Sequence, residues 1–119
     1  MFKVTTEADF CAAHKLVGYA GKCANLHGHN FRVSVTVVRK RLNSLGLAVD
    51  FVTLKGQLKS VIDTLDHTYL NELSFFHKKN PSCENITVYI HRQLKKHFKT
   101  DRVEVTVWES VRNSITYAG

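Results

Sequence analysis

The sequence predicts an α+β domain in which an antiparallel sheet carries two helices on one face. Three observations predict it. Apolar and polar residues alternate along Phe31, Val33, Val35 and Val37 and again along Val103, Val105 and Val107, which is the period of a half-buried strand. Leu54, Leu58, Val61, Ile62 and Leu65 recur instead at helical spacing. The order is strands, two helices, strands, which segregates the helices and suits a single layer packed on a sheet.

Taken in order, residues 2–13 read as a first strand and residues 31–37 belong to a second. Residues 39–46, with Asn43, Ser44 and Gly46, read as a turn, and residues 47–51 as a short returning strand. The first helix follows, with Asp50 or Thr53 available as its cap. Asp66 and His67 stand at its end. An irregular stretch runs to Pro81, where Ser82 can cap a second helix reaching about Phe98 along Ile86, Tyr89, Ile90 and Leu94. Residues 103–107 form the next strand, a turn follows at Val111, Arg112 and Asn113, and Ile115 and Tyr117 mark the last strand. No repeat, low-complexity tract or linker interrupts the chain, so residues 1–119 are expected to form one domain.

Composition narrows the functional classes. No stretch approaches the roughly twenty apolar residues of a membrane span, and the first residues lack the apolar core of a signal peptide. Three widely spaced cysteines suit reduced thiols better than a disulfide framework, and a cytoplasmic protein with no membrane partner is expected. A net charge of +7 favours an anionic partner, either nucleic acid or a phosphorylated small molecule. The basic run Lys95, Lys96, His97 and Lys99 falls at a helix end, where cations complement the helix dipole. His77, His91 and His97 read as exposed.

The chemistry concentrates in Cys23-Ala-Asn-Leu-His27-Gly-His29-Asn30 and in Phe10-Cys-Ala-Ala-His14. Residues two apart on a strand share a face, so His27 and His29 offer two imidazoles to one ion, and His14 at the end of another strand can supply a third. Both share the parity of Phe31 and Val33 and so point to the buried side, where an imidazole needs a partner. Three nitrogen ligands suit zinc and leave its fourth position open, as in a catalytic site. A closed site using Cys11, Cys23, His27 and His29 fits poorly, because structural zinc histidines are separated by three to five residues. Cys23, beside Lys22 and a candidate metal, stands in surroundings that favour a reactive thiol, although a lone cysteine is more often inert. Asp66-His67 is either a carboxylate orienting an imidazole for proton transfer or a solvated helix end. Glu109, following Trp108 at a strand end, reads as a surface residue from its position alone.

Together these pieces resemble the 6-pyruvoyltetrahydropterin synthase and 6-carboxytetrahydropterin synthase family from end to end. The resemblance rests on the two histidine motifs, Val49-Asp-Phe51, Leu65-Asp-His67 with Leu70-Asn71, Pro81-Ser-Cys-Glu-Asn85 and Trp108-Glu-Ser110, in the family's order. It implies a tunnelling fold whose subunits join their sheets into a barrel, a homohexamer built from two trimers, and active sites between subunits. It implies zinc on His14, His27 and His29, Cys23 as acid or base with Asp66 and His67 as proton-transfer partners, and Glu109 as the anchor of the pterin ring. The implied substrate is 7,8-dihydroneopterin triphosphate. The short chain is similar to the bacterial branch, which releases acetaldehyde and triphosphate to give 6-carboxy-5,6,7,8-tetrahydropterin for queuosine biosynthesis; the pyruvoyl product is the alternative. Lys15, Lys22 and Arg112 are candidate triphosphate contacts. Cys11, Cys83 and Ser110 depart from the family pattern. The reading of another class is a basic, zinc-stabilised nucleic-acid-binding domain, supported by net charge but by no aromatic platform among the basic residues.

Overall fold

The computed structural model describes residues 1–119. Two long strands, β1 (Phe2–His14) and β2 (His27–Arg39), pair antiparallel over thirteen residues each and form the spine. Strand β4 (Arg102–Trp108) lies antiparallel on the other side of β2, and β5 (Ser114–Tyr117) pairs antiparallel with β4 at one edge. At the other edge the two-residue β3 (Thr68–Tyr69) pairs parallel to β1, an addition that no alternation in so short a segment announces. The sheet order is therefore β3-β1-β2-β4-β5.

Helices α1 (Phe51–Asp63) and α2 (Cys83–Lys95) cover one face. The residues whose parity points inward, Phe31, Val33, Val35 and Val37 on β2 with Val103, Val105 and Val107 on β4, are all buried against Leu54, Leu58, Ile86, Ile90 and Leu94. Each such side chain contributes roughly 1.5–3 kcal/mol by leaving water. Leu54 is fully buried, so truncation to Ala would cost about 2–5 kcal/mol.

Three local readings change. Residues 47–51 do not return as a strand; Asp50 instead accepts the Val52 N–H at 2.8 Å and caps α1, so the apolar Ala48 and Val49 are buried ahead of the helix. Helix α2 ends at Lys95 and not at Phe98, which nevertheless remains buried. Ser82 caps α2 as expected, accepting the Asn85 N–H at 3.1 Å. His91 is buried and not exposed: it lies under Tyr117 and bonds the Val103 carbonyl through Nε2 at 3.1 Å. Its place on the sheet-facing side of α2 decides this, since α2 packs on both β4 and β5.

Candidate active site

The β1–β2 register sets His14 directly opposite His27 and Ala12 opposite His29. Side-chain alternation then turns all three imidazoles to the helix-covered face. There they form the last layer of the core, above the stacked rings of Phe10 and Phe31, whose centroids are 4.7 Å apart. One ring nitrogen from each histidine lies within 4.8 Å of the others, a spacing that fits a single metal ion.

Hydrogen bonds settle which nitrogens face inward. His14 Nδ1 is 2.7 Å from the Pro81 carbonyl and His27 Nδ1 is 2.7 Å from the Asn25 carbonyl. A carbonyl only accepts, so both Nδ1 atoms carry a proton, and in the neutral tautomer Nε2 is then the nitrogen with the free lone pair. The Nε2 atoms of His14 and His29 are buried with no hydrogen-bond partner. Orphaned polar atoms of this kind are costly, and a metal ion would satisfy them. Desolvation holds His14 and His29 below the usual histidine pKa, against the Pro81 bond in the first case and the Glu109 charge in the second. Neutral imidazole is the form that binds metal. His29 Nε2 lies 3.6 Å from Glu109 Oε1; that is too long for a hydrogen bond, and with the ring neutral it is not an ion pair.

Glu109 comes to the cluster by the same alternation. Val103, Val105 and Val107 face the helices, and two residues further the inward side is reached by Glu109, whose N–H donates to the Asn113 carbonyl at 3.2 Å in the turn to β5. Its carboxylate lines a cavity of about 210 Å³ together with His14, Cys23, Cys83, Asn113 and Ile115. Cys23 sits on a 3-10 turn (Lys22–Ala24), and its carbonyl accepts the Leu16 N–H at 2.8 Å, which ties that turn to the end of β1. The Cys83 thiol donates to the Val107 carbonyl at 3.4 Å, and burial pushes it up to about 12, so it remains protonated.

Asp66 and His67 do meet, with His67 Nδ1 3.0 Å from Asp66 Oδ1. Both dock on Cys11: its N–H donates to Asp66 Oδ1 at 2.9 Å, and His67 N–H donates to its carbonyl at 2.6 Å. His67 adopts φ 57° to make this turn into β3, in the left-handed region. The Cys11 N–H, with His67 after it, holds the Asp66 carboxyl below the usual carboxylate range. His67 lines a second cavity, of about 570 Å³, with Cys11, Gly28, His29 and Asn30. His14, Cys23 and Glu109 thus line one cavity, and His29 and His67 line the other. Within one chain no hydrogen bond joins Cys23 to Asp66 or His67.

Sequence reasoning missed the Pro81 and Asn25 carbonyls, which orient two of the histidines. Pro81 was visible as the boundary before α2 and as the first residue of the Pro81–Asn85 motif, but nothing local signals a contact made across the fold.

The sequence profile of the 6-pyruvoyl tetrahydropterin synthase family matches residues 3–119. A 6-carboxy-5,6,7,8-tetrahydropterin synthase of Synechocystis sp. is 34% identical, covering 98% of this chain and 93% of its own. A putative 6-carboxy-5,6,7,8-tetrahydropterin synthase of Archaeoglobus fulgidus is 36% identical, over 87% of this chain and 90% of the relative. The structure of Caenorhabditis elegans 6-pyruvoyl tetrahydropterin synthase superposes with a TM-score of 0.85 at 31% identity, covering 100% of this chain and 97% of that one. The match spans every strand and helix as well as the histidine cluster, and the chain belongs to the 6-pyruvoyl tetrahydropterin synthase family, whose tunnelling fold it shares.

Proposed function

We propose that this chain is a zinc-dependent 6-carboxy-5,6,7,8-tetrahydropterin synthase, a lyase that converts 7,8-dihydroneopterin triphosphate and one water to 6-carboxytetrahydropterin, acetaldehyde and triphosphate. The observation that carries the reading is the convergence of His14, His27 and His29, two of them with orphaned Nε2 atoms, beside the Glu109 carboxylate. Relatives bearing that activity's name align over nearly the whole chain. A cytoplasmic location is part of the same proposal, and three unpaired cysteines suit such a reducing compartment; no helix is long and apolar enough to cross a membrane.

His14, His27 and His29 hold the zinc. When bound there, zinc supplies Lewis-acid activation of the substrate's side-chain hydroxyls. Glu109 accepts two parallel hydrogen bonds from the ring amide and exocyclic amine of the pterin, a bidentate fit to a guanine-like edge. Cys23 moves a proton on the substrate side chain as acid or base, while Cys83, held protonated in the same wall, only shapes it. Asp66 orients His67 for proton transfer. Because Cys23 and the Asp66–His67 pair open on different cavities, a complete relay is assembled between subunits of a homohexamer. Open edges at β3 and β5 leave backbone groups for such sheet-to-sheet pairing.

The test is to incubate the zinc-replete protein with dihydroneopterin triphosphate and identify the products by mass while trapping acetaldehyde. Acetaldehyde in stoichiometric amount with triphosphate is expected. The second reading, release of 6-pyruvoyltetrahydropterin, is favoured by the likeness to the Caenorhabditis elegans enzyme, and that product without acetaldehyde would establish it.

A further inference from the structure

A third cavity, of about 480 Å³, opens between the segment that follows β1 and the segment that precedes α2. Lys15, Lys78, Lys79 and His77 line it, and none of its eight lining residues is acidic. None of the three lysines forms an ion pair anywhere in the chain. Three ammonium groups around one concavity, with no carboxylate to neutralise them, make a field that attracts a multiply charged anion.

The frame of this cavity is built independently of any ligand. Asn71 accepts the Lys15 N–H through Oδ1 and donates to the Lys15 carbonyl through Nδ2, both at 3.0 Å. Asn80 does the same for Val17, at 2.8 and 3.0 Å. Each side-chain amide thereby reproduces the pair of bonds that a neighbouring strand would supply. The Asn80 carbonyl is held in turn by Asn85 Nδ2 at 2.8 Å, which anchors the frame to α2. Lys79 Nζ lies 4.6 Å from the centre of the Phe75 ring, a contact that restrains its long side chain. With both asparagines committed to backbone, the lysines are the free donors.

Both walls of the cavity adjoin the metal centre in the chain. Lys15 follows His14, and Asn80 precedes Pro81, whose carbonyl orients His14. We propose that this cavity holds the polyphosphate of the substrate, with Lys15, Lys78 and Lys79 binding its oxygens, and that it retains inorganic triphosphate after the bond is broken. Lys22 and Arg112 lie outside its lining. The inference rests on the pterin triphosphate reading above. A lysine ammonium suits the task because it is a compact point charge with three donors that adapts to a flexible chain of phosphates.

The experiment is calorimetric titration of inorganic tripolyphosphate into the zinc-loaded protein, with zinc content verified afterwards, for the native chain and for Lys78→Ala/Lys79→Ala. Affinity for tripolyphosphate should fall about tenfold or more in the double variant, the scale of losing one charge-assisted hydrogen bond. The KM for dihydroneopterin triphosphate should rise by a similar factor, while affinity for unphosphorylated 7,8-dihydroneopterin stays unchanged. Lys78→Arg/Lys79→Arg should restore most of the binding, which mere damage to the fold would not allow. Equal tripolyphosphate affinity in native and double-alanine proteins, with zinc intact, overturns the assignment. Lysine-dependent tripolyphosphate binding in a protein that does not turn over the pterin would leave the cavity standing and sink the proposed reaction instead.

Discussion

His14 and Pro81 lie 67 residues apart in the chain and meet through one hydrogen bond, the Nδ1 proton donated to the carbonyl at 2.7 Å. The bond fixes the ring so that Nε2 faces the other two imidazoles, and His27 is fixed likewise by its neighbour Asn25. Partners of this kind commonly change metal affinity by about 10- to 100-fold.

Loss of a ligand should therefore empty the site. His27→Ala is expected to lower zinc content well below one per chain and to remove activity with it. Elemental analysis after dialysis against a chelator checks this. Full, tightly held zinc in the variant would take His27 out of the ligand set.

Cys23→Ala should separate chemistry from metal binding. Its turn is tied to β1 by backbone and not through the thiol, so fold and zinc should survive while turnover falls by about 10²- to 10⁴-fold. Zinc loss in this variant would instead make Cys23 a ligand. Mixing Cys23→Ala subunits with His67→Ala subunits should restore part of the activity if each site draws on two chains; no recovery after verified subunit exchange would confine the relay to one chain.

Glu109→Ala should weaken binding of a pterin analogue by about 3 kcal/mol, the scale of losing charged hydrogen bonds on both carboxylate oxygens. Zinc should remain, because Glu109 stands 3.6 Å from His29 and makes no hydrogen bond to it. Unchanged analogue affinity would return Glu109 to the surface role that its sequence position suggests.

Acid stability should depend on Asp101, which accepts hydrogen bonds from Arg39 Nε at 2.9 Å and from Arg39 Nη2 at 2.8 Å. The Arg39 hydrogen bonds hold the Asp101 carboxyl below its ordinary value of 3.8. A lowered carboxylate contributes stability that is fully present above the unfolded value and is lost as pH falls through the folded one. Arg39→Met should consequently destabilise the protein more at pH 7 than at about pH 2. Denaturation midpoints at the two pH values measure the difference, and an equal loss at both would show that the arginine acts through packing.

The long strands, both helices and the histidine cluster were legible because each rests on periodicity: two residues per repeat places His27 and His29 with Phe31, and helical spacing marks Leu54 and Ile90. Contacts without a local pattern were not. Residues 47–51 form a short, mostly apolar run after a turn and so read as a strand, yet the Asp50 cap and the burial of Ala48 and Val49 decide otherwise. His91 looked exposed because a single histidine in a helix carries no signal of what packs over it, here Tyr117. The asparagine frame at Lys15 and Val17 was equally silent, since its bonds join segments more than fifty residues apart.

The pairing of β1 with β2 also makes the metal centre a check on strand alignment. The two strands meet over thirteen residues, and their valine-rich, threonine-rich midsection offers near-equivalent alternatives displaced along the axis. A displacement by one residue would carry His27 and His29 to the opposite face of the sheet, and one by two would part His27 from His14 by a further repeat. Only the native alignment gathers three lone pairs around one point. An ion bound there stabilises the correctly aligned hairpin over its slipped competitors, so zinc would act as a proofreader of folding before it acts in catalysis. Refolding yields that are the same with zinc as with a chelator would show that the hairpin aligns without such help.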